Sequence, residues 1–241
     1  MDWSDKLIEL RAAIALADRA INDADGSLPL ATVGLVALRN ALRDDEEGTD
    51  IPFRTSTDQT ARLSHTGLTC LADPHYTEGQ QSCMSIALLH KRSVVAAVVK
   101  IGEDVYTAYK GGPAELNGSE ISPDDAGFAH CIVATQPLPG SDSQTFQKQY
   151  LLTPASKLLP VERILSVARG ACHICIEGSV HEAHAAAALF IASRSGCAVR
   201  PRAKRGGITY LKKNATIKGG FIVTNTERIA VKTLHRLNLA Q

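Results

Sequence analysis

Groups able to do chemistry fall in three places along the chain. The first is Asp73-Pro74-His75-Tyr76-Thr77-Glu78, where carboxylate, imidazole, phenol and hydroxyl groups share one short segment. Such carboxylates serve as ligands for a hard cation or as general bases. Glu78 can equally be a first-turn acid that complements a helix dipole. The second place is Cys172-His173-Ile174-Cys175, followed by His181 and His184. Cys and His are good zinc ligands, but the spacing is that of no known finger, and packing of Cys172 and Cys175 as core thiols is the preferred reading. His181 and His184 stand three apart, hence on one face if both are helical, which suits a metal or acid–base role. The third place is the basic run Arg200, Arg202, Lys204, Arg205, Lys212 and Lys213. Its cations can hold a phosphate or carboxylate directly, although a solvated loop is preferred for the run as a whole. For His184 the functional and the bland reading both stay open.

These groups need a scaffold, and its elements are readable. Leu7, Ile8, Leu10, Ala13, Ile14, Ala17 and Ile21 recur at helical spacing and predict a helix over 4–24, with Ser4 as its N-cap. A second helix follows over 32–43, ended by an acidic loop at 44–48. Residues 83–99 and 105–109 read as strands of an antiparallel meander, with turns at Lys91-Arg92 and at 110–113. In the second half Ile132-Val133-Ala134-Thr135 is a short buried strand and 137–147 a polar loop. Then come a helix near 148–158, a strand at 162–165 and an apolar run at 171–176. An alanine-rich helix over 182–194 is ended by Gly196, and Phe221-Ile222-Val223-Thr224 is the last strand. Thr226 caps the final helix, which runs to about Leu237. The alternation suggests α/β layering, with an N-terminal half at 1–130 and a C-terminal half at 131–241 in one compact unit.

Composition narrows the function. The chain has 241 residues, of which 44% are hydrophobic and 21% charged, enough to bury a large core. A net charge of +1 gives no global bias toward nucleic acid or membrane. No apolar run has the length of a membrane span, and the first residues lack a signal-peptide layout. Six scattered cysteines in a chain of this size read as reduced core thiols, and so as a cytoplasmic protein. Neither a Gly-rich nucleotide loop nor a Gly-x-Ser-x-Gly elbow occurs.

Leu71-Ala72-Asp73-Pro74-His75-Tyr76-Thr77-Glu78-Gly79 resembles the Asp-Pro-x-Asp-Gly-Thr signature of the magnesium-dependent inositol monophosphatase family, with Tyr76 in place of the second Asp. Other stretches resemble the same family in the same order. They are Ser85-Ile86-Ala87-Leu88, the segment from Tyr106 to Gly118 with its Gly111-Gly112-Pro113-Ala114 turn, the helix from Ala183 to Gly196, and Gly219-Gly220-Phe221-Ile222-Val223-Thr224-Asn225. The resemblance covers nearly the whole chain. It implies a layered αβαβα sandwich and, as is common in the family, a homodimer.

In that family carboxylates hold Mg²⁺ ions that activate water and brace phosphate oxygens. The resemblance keeps Asp73 among these acids. Tyr76 stands for the second Asp, Gly34 for the Asp of the second helix, Ala183-His184 for Trp-Asp, and Arg200 for the acid after the Gly-Gly turn. The stretch 51–57 has no acid where a Glu-Glu pair belongs. Seven residues separate Thr77 from Ser85, a shortened metal loop. Asp73 alone is too little to assemble a Mg²⁺ pair, so no metal cofactor is expected. The resemblance turns His184 and Arg200 toward the old metal cleft and places Thr77 and Glu78 at a phosphate-receiving helix start. The expected catalytic groups are therefore Asp73, Glu78, Thr77 and His184. His75, Tyr76, His181, Arg200 and Arg202 are expected to bind substrate, Tyr76 being equally suited to plug the vacated site. The expected function is that of a pseudoenzyme or a binder of a small anionic or phosphorylated ligand. One alternative is a repurposed enzyme using His184, Glu78 and Asp73 without Mg²⁺. Another is a residual Mg²⁺-dependent phosphatase of inositol, sugar or nucleotide monophosphates, with Glu46, Glu47, Asp50 and Asp58 as substitute ligands.

Overall fold

A computed structural model describes residues 2–24, 30–44, 49–55, 67–75, 82–125, 127, 132–135, 151–153, 158–202, 207–211 and 214–239. Helix α1 (Trp3–Asn22) buries Leu7, Leu10, Ala13, Ile14, Ala17 and Ile21, the apolar stripe that the 3.6-residue period puts on one face. Asp2, not Ser4, is its N-cap: the Asp2 carboxylate accepts the Ser4 N–H at 2.9 Å. Helix α2 (Leu30–Ala41) packs beside it. Beyond it a small hairpin pairs β1 (Arg43–Asp44) with β2 (Thr49–Asp50).

The first large sheet follows chain order: β3 (Phe53–Arg54), β4 (Leu68–His75), β5 (Cys83–His90), β6 (Ser93–Ile101), β7 (Asp104–Tyr109), β8 (Ala114–Leu116) and β9 (Ser119–Glu120). All pairings are antiparallel except β3 with β4, which is parallel. Strands β5 and β6 are buried along nearly their whole length because helices cover both faces, which is why their sequences are unbroken apolar runs. Lys91 and Arg92 join them with positive φ at both positions, the turn whose twist matches an antiparallel pair.

The second sheet has the order β11 (Leu151–Thr153), β10 (Ile132–Thr135), β12 (Ile174–Glu177), β16 (Phe221–Thr224), β14 (Ala198–Pro201), and β13 (Val180–His181) pairs separately with β15 (Thr216–Ile217). Between the sheets lie α3 (Pro160–Ala168) and α4 (Ala186–Arg194), and α5 (Glu227–Leu239) covers the far face. The layers thus run α1 and α2, first sheet, α3 and α4, second sheet, α5. This is the expected αβαβα sandwich, and one apolar core joins residues of both halves, from Leu71 and Tyr106 to Ile164 and Phe221.

Three elements differ from the sequence reading. Residues 151–153 form a strand parallel to β10, not part of a helix. Residues 162–165 lie in helix α3, not in a strand: Pro160 starts it, Glu162 accepts the Leu159 N–H at 2.6 Å, and Val161, Ile164, Leu165 and Ala168 share its buried face. The predicted helix over 182–194 is two pieces, a 3₁₀ turn at Glu182–His184 and then α4, separated by Ala185 with φ −129° and ψ −25°. That break sets the direction of His184. At the other end of the chain the Thr226 hydroxyl accepts the Ile229 N–H, so the expected cap of the last helix is in place.

Arg163 of α3 crosses to β12, where its guanidinium grips both oxygens of Glu177 with neither side chain exposed. Removing one partner of such a pair strands the other charge in the core. Arg163→Met should cost about 3–5 kcal/mol in urea unfolding, and adding Glu177→Leu to it should recover most of that loss.

Candidate active site

Along β4 the side chains alternate. Leu68, Cys70 and Ala72 pack toward α1 and α2, and Leu71 packs toward the middle layer. Asp73 shares the face of Leu71 by the two-residue period, and its carboxylate is buried at 8% exposure. There it meets His184, whose Nδ1 lies 2.5 Å from Asp73 Oδ2. A carboxylate on Nδ1 fixes the proton there, so Nδ1–H donates to Asp73 and Nε2 is left as the free ring nitrogen. The His184 side chain is 33% exposed.

The 3₁₀ turn carrying His184 is pinned from several sides. His181 caps it, Nδ1 accepting the Ala183 N–H at 3.2 Å. The Ser85 hydroxyl reaches the Ala183 carbonyl at 3.5 Å, and the Glu182 N–H donates to the Ala215 carbonyl at 2.7 Å. The Glu182 carboxylate is buried, and Arg54 Nη1 donates to it at 2.7 Å while the Leu211 N–H donates at 2.8 Å. Arg54 stands on β3, opposite Leu71 in the parallel register, so its side chain enters the same layer as that of Asp73. Two buried carboxylates, Asp73 and Glu182, are thus each closed onto an internal basic side chain.

The charges tune the imidazoles in opposite directions. The hydrogen bond from Asp73 raises the His184 pKa above its ordinary 6.5, against the pull of burial. Burial lowers that of His181, helped by the His184 and Arg54 charges and opposed by Asp73. The rings of the two histidines are 5.6 Å apart, edge to face. Cys83, on the neighbouring strand, has its thiol pushed well up by burial and by Asp73, so it supplies no thiolate.

The structure therefore joins three of the expected residues, Asp73, His181 and His184. Arg200 is elsewhere: it is exposed on β14 and forms an ion pair with Glu227 of α5 at 2.8 Å, because its strand lies in the second sheet and points it to the outer helix. Arg202 follows that strand and donates its N–H to the Gly220 carbonyl. His75 ends β4 and lines a crevice with Asp18, Ser82 and Lys100, on the side of α1. Asp50 sits in the β1–β2 hairpin. Tyr76, Thr77, Glu78, Glu46, Glu47, Asp58, Lys204, Arg205, Lys212 and Lys213 lie outside the described residues. Sequence reasoning missed Arg54 and Glu182. The signal available was an arginine following the apolar Ile51-Pro52-Phe53, and an acid directly before the small residues of the turn.

The zinc reading gains no geometry. Cys172, His173 and Cys175 are buried, His173 Nδ1 accepts the Ile132 N–H at 2.8 Å, and the Cys175 thiol faces Glu177. The five described cysteines are free and buried, as core thiols should be.

Mg²⁺ needs several hard oxygen donors in near-octahedral array, and the described residues do not fit it. Among them no three His, Cys, Asp or Glu side chains are arranged so that they could hold a metal ion. Asp73 is committed to His184, and Glu182 to Arg54. Gly34, at the position where the resemblance looks for an acid, backs onto apolar groups: a Cβ there would lie 2.8 Å from Ile21 Cδ1 and 3.5 Å from Met84 Cε.

A raised folded-state pKa means that the Asp73–His184 pair contributes full stability below the unfolded value of about 6.5. That contribution is lost as pH rises through the folded value. NMR titration should place the His184 midpoint above that of an unperturbed histidine, and Asp73→Asn should return it toward the ordinary value.

Comparison with known proteins agrees with this architecture. The profile of the Inositol monophosphatase family matches residues 44–238. No curated protein matches the chain in sequence. Solved structures do: an inositol monophosphatase from Anabaena (Nostoc) sp. PCC 7120 superposes with a TM-score of 0.78 at 14% identity, over 98% of this chain and 96% of that one. The extragenic suppressor protein SuhB from Bartonella henselae gives 0.75 at 16% identity, over 96% and 97%. An inositol monophosphatase from Zymomonas mobilis gives 0.73 at 14%, over 99% of both. Among the described residues no helix is long and apolar enough to cross a membrane. With this fold and a profile match over most of its length, the chain belongs to the inositol monophosphatase family.

Proposed function

We propose that this protein keeps the family fold but not its two-metal phosphomonoesterase chemistry, and that its cleft binds a small anionic or phosphorylated ligand without Mg²⁺. The observation that carries the reading is the commitment of Asp73 to His184 at 2.5 Å, with Glu182 held by Arg54 at 2.7 Å. A carboxylate that accepts charge-assisted hydrogen bonds from an internal cation gives up lone pairs and negative potential that a metal would need. Arg54 puts fixed positive charge beside this cleft, and His184 adds to it when protonated. A pseudoenzyme, or a subunit acting through binding, follows from this arrangement.

One feature favours a second reading, metal-free catalysis. Asp73 on Nδ1 leaves His184 Nε2 outward, the orientation in which a carboxylate holds an imidazole for proton transfer. His184 would then move a proton at Nε2, and Asp73 would fix its tautomer and steady the imidazolium. Among the described residues no group that could hold a metal supports a metal-assisted step.

Phosphate release from a panel of inositol, sugar and nucleotide monophosphates tests both readings, run with Mg²⁺ and with chelator. The expected result is no Mg²⁺-dependent release above that of Asp73→Asn. Mg²⁺-dependent turnover that vanishes in that variant would overturn the proposal. Turnover that persists in chelator and is lost in His184→Ala would select the second reading.

A further inference from the structure

Two buried donors in this cluster have no hydrogen-bond partner: Arg54 Nε and His181 Nε2. Arg54 is only 5% exposed, and its Nη1 is already spent on Glu182. His181 uses Nδ1 as an acceptor for the Ala183 N–H, so its proton is on Nε2, facing away from the turn it caps. A buried N–H without an acceptor is costly, and such groups in a folded protein mark a place where something else supplies the acceptor. Both residues border the same 3₁₀ turn, Arg54 through Glu182 and His181 as the neighbour of Glu182 in the chain.

We propose that Arg54 Nε–H and His181 Nε2–H are the donors that receive an oxyanion of the ligand, a phosphoryl or carboxylate group, beside the Asp73–His184 pair. The inference rests on the anion-binding reading of the cleft and adds the residues that do the binding. The chemistry suits them. A guanidinium edge offers directional, charge-assisted N–H groups to an oxygen pair, and a neutral imidazole N–H adds a second direction. The local field agrees, since His184 and Arg54 together disfavour a further positive charge on His181; an anion relieves that field. Glu182 takes Arg54 Nη1 and Asp73 takes His184 Nδ1, not these two hydrogens.

Two substitutions separate binding from folding. His181→Asn keeps a side-chain oxygen to cap the turn but lacks Nε2–H. Arg54→Lys keeps a cation for Glu182 but lacks Nε–H. Inorganic phosphate and, separately, acetate are titrated calorimetrically into the full chain with chelator present, and thermal unfolding is recorded for each variant. Saturable binding to the unaltered chain, weakened about ten-fold or more in His181→Asn with its unfolding midpoint retained, is expected. Arg54→Lys should weaken binding likewise. Stronger phosphate than acetate binding assigns a phosphoryl group, and the reverse assigns a carboxylate. Binding that both variants leave unchanged would overturn the assignment of these donors while leaving an anion site. Binding of neither anion to the unaltered chain would overturn the anion reading itself, and a water would be the acceptor.

Discussion

A carboxylate buried between two sheets cannot stay charged without a nearby cation, because the loss of hydration costs several kcal/mol. In this protein such a layer lies between the first sheet and the middle helices. Here Asp73 and Glu182 lie in it, and each has a basic partner supplied by the chain itself, His184 and Arg54. The rest of the site follows from that. Strand β3 brings Arg54 in beside β4, the 3₁₀ turn offers Glu182 and His184 on successive sides, and the break at Ala185 keeps α4 from carrying His184 away.

On the proposed reading, the same constraint explains how the fold persists without metal ligands. A vacated cation site would leave acids repelling one another, so loss of metal and loss of acid must be balanced. Arg54 adds one positive charge and His184 a second when protonated, and the position of Gly34 is filled by Ile21 and Met84 from neighbouring elements. The layers themselves depend on other contacts, chiefly the shared apolar core and the Arg163–Glu177 pair, which lies between α3 and β12. Structure and site chemistry are therefore separable: the scaffold is held by packing, and the cleft is free to change its charge.

Much of the scaffold was legible in the sequence. The meander from Cys83 to Tyr109 announces itself because strands covered on both faces are continuous apolar runs punctuated by turns. Residues 162–165 misled for a related reason: a short apolar run fits a strand or a buried helix, and Pro160, Glu162 and the spacing of Val161, Ile164, Leu165 and Ala168 decide for the helix. The site was legible in part. Asp73 and His184 are recognisable from the resemblance, but attention to missing acids passed over the arginine that had arrived. The pairing of Arg54 with Glu182 spans 128 residues and is made only by the parallel register of β3 on β4. Arg200 misled in the opposite way, since its strand belongs to the second sheet and carries it to Glu227.

The most direct test of a self-neutralised cleft is metal uptake itself, independent of any substrate. Mn²⁺ replaces Mg²⁺ at hard oxygen sites, and its free fraction is read by electron paramagnetic resonance as it is titrated into the full chain. With the acids held by His184 and Arg54, the free signal should rise as it does in buffer alone. Saturable uptake at stoichiometric protein, reversed by Mg²⁺ and removed by Asp73→Asn, would contradict the internal cations as the occupants of this site.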